Sequence, residues 1–385
     1  MKEFINAKII LKNSIVEGKN LLVDGSRIAG LTEERIPGAE IVDAHGLFLS
    51  PGLVDMHVHG GDGADYMDGT AEAFQTAARC SLAGGATTVY PTTLCAPMDK
   101  VERIFEVFRR VKDLPGLPHM PGLHLEGPFF SAEQAGAQNP EFLKAPSEED
   151  VQLLLRNRDV IARVSAACEL PGVIAMGDRL KAAGIICSIG HSNAVYEDVL
   201  EAVQHGFTLV THLYSGMSSI TRHRAHRVLG VLESAYLLDE LDVEIIADGH
   251  HLPRELLQLI VKLKNPDQIS LVTDALRGAG MPEGSRIGIG DDGRWAVIEN
   301  GVAYMPDHSC FAGSVTSAIK CVRTMWKDVG LPLWRAVQMM SFNPCRVMGI
   351  SAHKGEIAPG KDADLILFDE RMEIEQIWLM GEKAG

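Results

Sequence analysis

Five short apolar runs in this chain each lead into a histidine or an acidic residue. These runs are Leu53–Val58 with His57 and His59, Pro121–Leu125 with Glu126, Ile185–Gly190 with His191, Phe207–Thr211 with His212, and Ile269–Thr273 with Asp274. Runs of this length are typical of buried strands in a parallel sheet. Ligand-type side chains at the carboxyl ends of several parallel strands are typical of an eight-stranded α/β barrel. This pattern restricts the fold strongly, because unrelated core histidines would not be expected to fall at strand ends.

Strand-like runs alternate with helical patterns from residue 53 onward. The candidate strands are 53–58, 86–91, 121–126, 161–167, 185–189, 207–211, 243–247 and 269–274, and helical patterns cover Ala71–Ala83, Lys100–Val111, Val195–Gln204 and Pro253–Lys264. Eight such units predict an α/β fold, a (β/α)8 TIM-like barrel. Turn signals at Asp291-Asp292-Gly293 and Glu299-Asn300-Gly301 indicate a β-insertion near residues 285–306. We expect helices over 314–328 and 333–342 to close the barrel.

The two ends of the chain differ from its middle. Residues 1–52 alternate apolar and polar side chains, and residues 350–385 contain strand-like runs near Ala363–Phe368 and Ile374–Leu379. Both patterns predict short antiparallel strands. We therefore predict a small β-sandwich built from residues 1–52 and 350–385, beside a barrel domain over 53–349.

Composition and charge exclude several classes of protein. With 46% hydrophobic and 23% charged residues the chain is not disordered, and its net charge of −15 argues against nucleic acid or an anionic membrane as a partner. No apolar stretch approaches the length that spans a bilayer. The seven cysteines are scattered without paired spacing, and the N-terminus lacks the layout of a signal peptide. We expect reduced thiols and a cytoplasmic protein.

The strand-end residues have the chemistry of metal ligands. His57 and His59 point to the same face of a strand, because side chains alternate with period two, so they can bind one ion together. His191 and His212 follow neighbouring strands, and Glu126 adds a carboxylate. Imidazole and carboxylate suit Zn²⁺ first, and also Fe²⁺, Co²⁺ or Mn²⁺. The sequence therefore predicts one or two divalent metal ions, which would polarise a carbonyl and activate water.

Asp274 is the candidate acid–base residue. At the mouth of the last strand it can take a proton from the attacking water and pass it to the leaving group. The structural alternative for Asp274 is a helix N-cap, and for Glu126 it is a buried ion pair.

The order of the motifs resembles that of the N-acetylglucosamine-6-phosphate deacetylase family of the amidohydrolase superfamily. The motifs are PGLVDMHVHG, LHLEGPF, GHS, THLYSGM, ADGHH, VTDA and the terminal segment Gly355–Asp369, and together they cover nearly the whole chain. The resemblance implies a metal at Glu126, His191 and His212 and Asp274 as general acid–base. It also implies that the His57 and His59 pair is available for a second ion.

The resemblance implies further residues that contact the substrate. His251 matches a histidine that helps to hold the sugar. The family's arginine that binds phosphate from a neighbouring subunit has Arg227 as its nearest match, with Arg222 and Arg224 as further candidates. A homodimer is therefore implied. The alternative for this basic cluster is a solvated helix edge.

Two motifs depart from the family pattern near the expected substrate. Ser215-Gly216 stand where the family has Asn-Ala, and Gln138 stands where it has a histidine near the substrate carbonyl. Gln138 can donate a neutral hydrogen bond but cannot supply a positive charge. The metal ligands are kept and the substrate contacts are altered, so the chemistry is better defined than the substrate.

The sequence thus predicts a metal-dependent hydrolase of a linear amide. It would deacetylate an N-acetylated amino sugar, with N-acetylglucosamine 6-phosphate as the first candidate. The alternatives on the same metal core are a galactosamine-type or unphosphorylated N-acyl hexosamine and a cyclic amide. A non-catalytic scaffold or sugar-binding protein is disfavoured, because binding alone does not require Asp274.

Overall fold

The apolar runs form the parallel strands of a closed barrel in the computed structural model, which describes residues 1–290 and 293–384. The barrel strands are Leu53–Val58, Ala86–Pro91, Leu123–Glu126, Ile161–Ala166, Ile186–Ile189, Phe207–Val210, Asp242–Ile246 and Ile269–Val272. Strands three to eight form one parallel sheet, and strands one and two form a parallel pair. Parallel bridges between Thr92 and His124 and between Val58 and Ala275 join this pair to both edges of the sheet. The predicted α/β barrel is confirmed.

Helices surround the barrel and bury their apolar faces against it. They are Ala71–Ala83, Met98–Val111, Glu148–Arg156, Val173–Ala182, Tyr196–Gln204, Val231–Leu237, Arg254–Leu263, Ala318–Arg323, Leu333–Met340 and Phe342–Val347. In Met98–Val111 the buried residues Val101, Ile104, Phe105 and Phe108 recur at helical spacing, which explains why this segment is a helix. In the described ranges, none of the helices has the length and apolarity that crossing a bilayer requires.

A four-stranded antiparallel sheet follows barrel strand eight. Its strands are Arg286–Gly288, Trp295–Glu299, Val302–Tyr304 and Phe311–Ser314. The β-insertion is therefore present. Of the two predicted hairpin turns, the one at 299–301 joins two of these strands, whereas residues 291 and 292 of the other lie outside the described residues.

The expected helix over 314–328 begins later than predicted. Residues 311–314 pair with Val302–Tyr304 as the last strand of the insertion, so the helix starts at Ala318 and continues as a π-helical turn over Thr324–Asp328. The helix expected over 333–342 is also interrupted, because the backbone leaves the helical region at Ser341 (φ −133°, ψ −73°). At residues 311–314, the hydrogen bonds of the strand ladder outweigh helical propensity.

Two small sheets contain both ends of the chain. One has the strand order Arg27–Thr32, Asn20–Asp24, Lys2–Ile5, Glu40–Asp43, and the other has the order Glu382–Lys383, Ile374–Leu379, Leu365–Phe368, Phe48–Pro51, Lys8–Leu11, Ser14–Val16. Leu365–Phe368 runs antiparallel to Phe48–Pro51, so the two termini share one sheet. A separate apolar core that includes Phe4, Leu21 and Trp378 lies among these strands. The domain limits 1–52, 350–385 and 53–349 remain a prediction.

Candidate active site

Glu126 lies at the centre of a buried group of histidines at the carboxyl end of the barrel. Its Oε1 is 3.0 Å from His212 Nε2 and 3.3 Å from His191 Nε2. All three side chains are buried, and their ligand atoms lie close enough together to hold one metal ion. Among the described residues, the ion-pair partners of Glu126 are histidines, which argues against the alternative of a structural pair with lysine or arginine.

His57 and His59 form a second possible metal group, and it shares Glu126 with the first. His59 Nε2 lies 3.0 Å from Asp274 Oδ1 and 3.4 Å from Glu126 Oε2. His57 Nε2 lies 3.4 Å from Asp274 Oδ1, yet it is buried without a hydrogen bond in the described part of the chain. Such a buried lone nitrogen, facing two carboxylates, fits a metal ligand.

Three of the candidate residues have an unusual backbone conformation. His191, His212 and Asp274 have φ angles of 45°, 28° and 50°. Left-handed backbone is uncommon outside glycine and costs about 1–3 kcal/mol per residue, and it is concentrated at functional sites. Each residue lies just after a barrel strand, so this conformation turns its side chain into the mouth of the barrel. Asp274 is followed by a β-bridge at Ala275 and then by a turn over residues 277–280, so it does not cap a helix.

The outer nitrogens of two histidines are held by main-chain carbonyls. His191 Nδ1 lies 2.7 Å from the carbonyl oxygen of Gln134, and His212 Nδ1 lies 3.1 Å from that of Ser215. A carbonyl only accepts, so Nδ1 carries a proton, and in the neutral imidazole that a metal ion binds, Nε2 keeps its lone pair toward the site. Gly216 has a φ of 56°, and a Cβ there would lie 2.8 Å from His191 Nδ1, so glycine leaves room for this imidazole.

The carboxylates of the site attract positive charge. Burial alone would raise the pKa of Glu126, but the charge of His57 and hydrogen bonds from His191 and His212 hold this pKa well below its usual value. The pKa of Asp274 is lowered in the same way by His57 and His59. Burial would lower the pKa of His57, yet Asp274 and Glu126 raise it well above the usual range. Two buried anions among imidazoles are the donor set of a divalent metal site.

Gln138 contacts a candidate metal ligand directly. Its Nε2 donates to Glu126 Oε2 at 2.9 Å, and its Oε1 accepts from the backbone N–H of Cys95 at 2.9 Å. We expected Gln138 to be available to a substrate carbonyl, whereas in the structure its oxygen and one amide hydrogen are already in use. The sequence gives no sign of this contact, because it depends on how the segment after barrel strand three folds back.

A cavity of about 250 Å³ opens above these residues. Its lining includes the predicted residues His59, Glu126, Gln138, His191, His212, Ser215, Gly216, His251 and Asp274. His251 is held by Asp248, whose Oδ2 lies 2.7 Å from His251 Nδ1. The lining residues include no lysine or arginine among the described parts of the chain.

Arg227 lies apart from the cavity of its own chain. Together with Arg222 and Arg224 it belongs to an exposed two-stranded ribbon formed by Thr221–His223 and His226–Val228. The structure therefore brings the metal and acid–base candidates together but leaves the basic candidates on the surface.

Comparisons with known proteins agree with this arrangement. The model of the Amidohydrolase family matches residues 48–383. An N-acetylglucosamine-6-phosphate deacetylase of Lysinibacillus sphaericus is 32% identical over 343 residues, covering 88% of this chain and 86% of that protein. The crystal structure of N-acetylglucosamine-6-phosphate deacetylase from Pasteurella multocida superposes with a TM-score of 0.92 at 28% identity, over 100% of both chains. A mutant of the Mycobacterium smegmatis deacetylase in complex with N-acetyl-D-glucosamine-6-phosphate superposes with a TM-score of 0.90 at 25% identity, over 100% of this chain and 99% of that one.

The chain belongs to the amidohydrolase family, a class of metal-dependent hydrolases that act on C–N bonds. Within that class it is similar along most of its length to N-acetylglucosamine-6-phosphate deacetylases. The family resemblance predicted from the motifs is therefore confirmed.

Proposed function

We propose that this enzyme removes the acetyl group from N-acetylglucosamine 6-phosphate, releasing the amine and acetate. The observation that carries the proposal is the placement of Asp274 beside the Glu126, His191 and His212 group at the floor of one cavity. The similar proteins from Lysinibacillus and Pasteurella are described as deacetylases of this sugar phosphate. The site offers what amide hydrolysis needs, namely a metal-ligand set and an ionised carboxylate.

Glu126, His191 and His212 would hold a divalent ion, with Zn²⁺ as our first choice and His57 with His59 available for a second ion. Such an ion, when bound, supplies polarisation of the acetyl carbonyl and of water. Asp274 accepts a proton from the attacking water and donates it to the departing nitrogen. With one ion bound, His59 Nε2, 3.0 Å from Asp274 Oδ1, orients the carboxylate for both transfers.

The phosphate group needs cations, and the described residues that line the cavity include no lysine or arginine. A charge of about −2 on the substrate would be poorly held by the neutral and acidic lining. The exposed ribbon with Arg222, Arg224 and Arg227 is a dense cluster of cations, and its side chains are free to reach another molecule. We therefore propose a homodimer in which the ribbon of each chain, through Arg227, completes the site of its partner, with His251 helping to hold the sugar. The sugar-phosphate substrate and the seven unpaired cysteines favour the cytoplasm.

Acetate release from a panel of N-acetyl hexosamines tests the proposal. The panel contains the glucosamine and galactosamine forms, each with and without 6-phosphate, at equal concentrations. We expect the highest kcat/KM for N-acetylglucosamine 6-phosphate. Equal rates with and without phosphate, or a preference for the galactosamine form, would move the enzyme to one of the alternative substrates. No release from any member would contradict the deacetylase assignment.

A further inference from the structure

A buried ion pair crosses the barrel interior beneath the metal group. Arg163 on barrel strand four contacts Glu244 on barrel strand seven, with one of its nitrogens 3.0 Å from Glu244 Oε2 and the other in closer contact with Oε1. Both side chains have no solvent exposure. Ion pairs at this depth often contribute little net stability, because desolvation offsets their attraction. A contribution to stability alone therefore does not explain why this ion pair lies inside the barrel.

Glu244 contacts residues of both candidate metal groups. Its Oε2 lies 3.3 Å from His57 Nδ1 and 3.3 Å from the backbone nitrogen of His212. The carboxylate thus touches the group that contains His57 and His59 through a side chain, and the group of Glu126, His191 and His212 through the main chain.

The ion pair determines which nitrogen of His57 carries the proton. Arg163 holds Glu244 in its ionised form, and an ionised carboxylate only accepts hydrogen bonds. A metal ion binds the neutral imidazole, and in that form the proton of His57 must lie on Nδ1, which leaves the Nε2 lone pair facing Glu126 and Asp274. Carbonyl oxygens have the same effect on His191 and His212, so three imidazoles present Nε2 to Glu126 Oε1. The fourth, His59, differs, since its Nδ1 is buried without a partner among the described residues.

Hydroxyl groups hold Arg163 in place. Its Nε donates to Ser188 Oγ at 3.1 Å, and Nη2 donates to Thr211 Oγ1 at 3.2 Å. Both partners lie close in sequence to candidate ligands, His191 and His212. The network therefore links the strands that build the site.

We propose that Arg163 and Glu244 are a positioning pair that fixes the tautomer and orientation of His57 for metal binding. This inference rests on the proposed metal-dependent function. Carboxylate partners of ligating histidines typically change metal affinity by about 10–100-fold when they are removed. The pair therefore contributes to metal affinity even though it touches neither substrate nor ion.

Glu244→Gln tests the pair with little change in shape. Arg163 donates to both oxygens of Glu244, and Oε2 also accepts from His57 and from the backbone N–H of His212. Either orientation of the new amide therefore sets an N–H₂ group against a donor, and the uncharged amide oxygen holds the Nδ1 proton of His57 less firmly than a carboxylate. We expect at least one equivalent of Co²⁺ to bind about 10–100-fold more weakly, measured by competition with a chelator, and the visible spectrum of the bound Co²⁺ to change.

Asp242→Asn is the matched control. Asp242 lies on the same strand two residues earlier and pairs with Arg346, away from the cavity. We expect this variant to keep the Co²⁺ affinity and spectrum of the unmodified enzyme. If Glu244→Gln lowers only the melting temperature of the metal-free protein and binds Co²⁺ as the unmodified enzyme does, the pair is structural and the inference is wrong.

A second variant covers the case in which the unpaired Arg163 prevents folding. Arg163→Met combined with Glu244→Met removes both charges and the acceptor for His57 together, and buried pairs tolerate apolar replacement of both members better than the loss of one. Weakened Co²⁺ binding in this variant would support the inference, and unchanged binding would overturn it. Failure of the unmodified enzyme to bind Co²⁺ would instead overturn the proposed function, and the inference with it.

Discussion

Two buried groups of carboxylates in this molecule differ in how their charge is compensated. Near the terminal sheets, Asp362 and Asp364 face Lys354, which is 3.0 Å from Asp362 and closer still to Asp364. Arg27 approaches Asp362 from the other side. Burial would lower the pKa of Lys354, but the two carboxylates raise it, so the amine stays charged. In this group two anions meet two cations.

The carboxylates of the active site have no such partners. Glu126 is buried and Asp274 is only slightly exposed, yet in the described residues they pair with imidazoles rather than with lysine or arginine. The nearby Arg163 is already paired with Glu244. The comparison teaches that buried carboxylates paired with lysine and arginine support the fold. Carboxylates without such partners, here called unbalanced, have affinity for a cation that comes from outside the chain.

Asp274→Asn changes only the active-site carboxylates, and of the substitutions considered it should lower activity most. The amide is isosteric and removes one of two close negative charges, so folding and metal content should be nearly unchanged. The rate of deacetylation should fall by roughly 10²–10⁴, because the variant cannot accept the proton of water. Acetate release and elemental analysis measure both effects. An enzyme that keeps most of its activity after this change would show that Asp274 is only structural.

Arg227→Ala tests whether the cations that the cavity lacks come from the exposed ribbon. Loss of one charge-assisted phosphate contact should cost about 1.5–3 kcal/mol, so kcat/KM for the phosphorylated substrate should fall by roughly 10–100-fold. The unphosphorylated sugar should be spared. Equal loss on both substrates would make Arg227 structural, and damage from Arg224→Ala alone would transfer the role to Arg224. Mixing Arg227→Ala with Asp274→Asn should restore activity if the ribbon acts across a dimer, since a mixed dimer contains one complete site.

Lys354→Met should have the smallest effect on activity. It leaves two buried carboxylates short of a cation, and breaking a buried pair in this way typically costs about 3–5 kcal/mol of unfolding free energy. Below the unfolding temperature, kcat and metal content should match those of the unmodified enzyme. Denaturant unfolding and acetate release check the two halves of this prediction. A variant with full stability but low activity would show that Lys354 serves the active site rather than the fold, which contradicts the comparison.

The residues that build the site could be predicted where their position follows from strand periodicity. His57, His59, Glu126 and Asp274 end apolar runs, and parallel strands place such ends at one edge of a barrel. Contacts that depend on the closed barrel could not be predicted. In the sequence, Glu244 is one polar residue inside an apolar run, and no local pattern indicates that it faces Arg163 across the barrel interior.

Contacts made by loops could not be predicted from the sequence for a different reason. Gln138 reaches Glu126 across 12 residues of irregular chain, whose path no periodicity fixes. The last strand of the insertion was missed because Phe311–Ser314 has no alternating pattern and its partner strand supplies the hydrogen bonds.

The central claim is that the group of Glu126, His191 and His212 binds the metal on which catalysis depends. The most direct measurement removes metal from the enzyme with a chelator and then adds Zn²⁺ in steps, while bound metal and acetate release from N-acetylglucosamine 6-phosphate are both recorded. The account predicts that activity is lost with the metal and returns in proportion to bound Zn²⁺. Full activity in protein that contains no bound metal would contradict it.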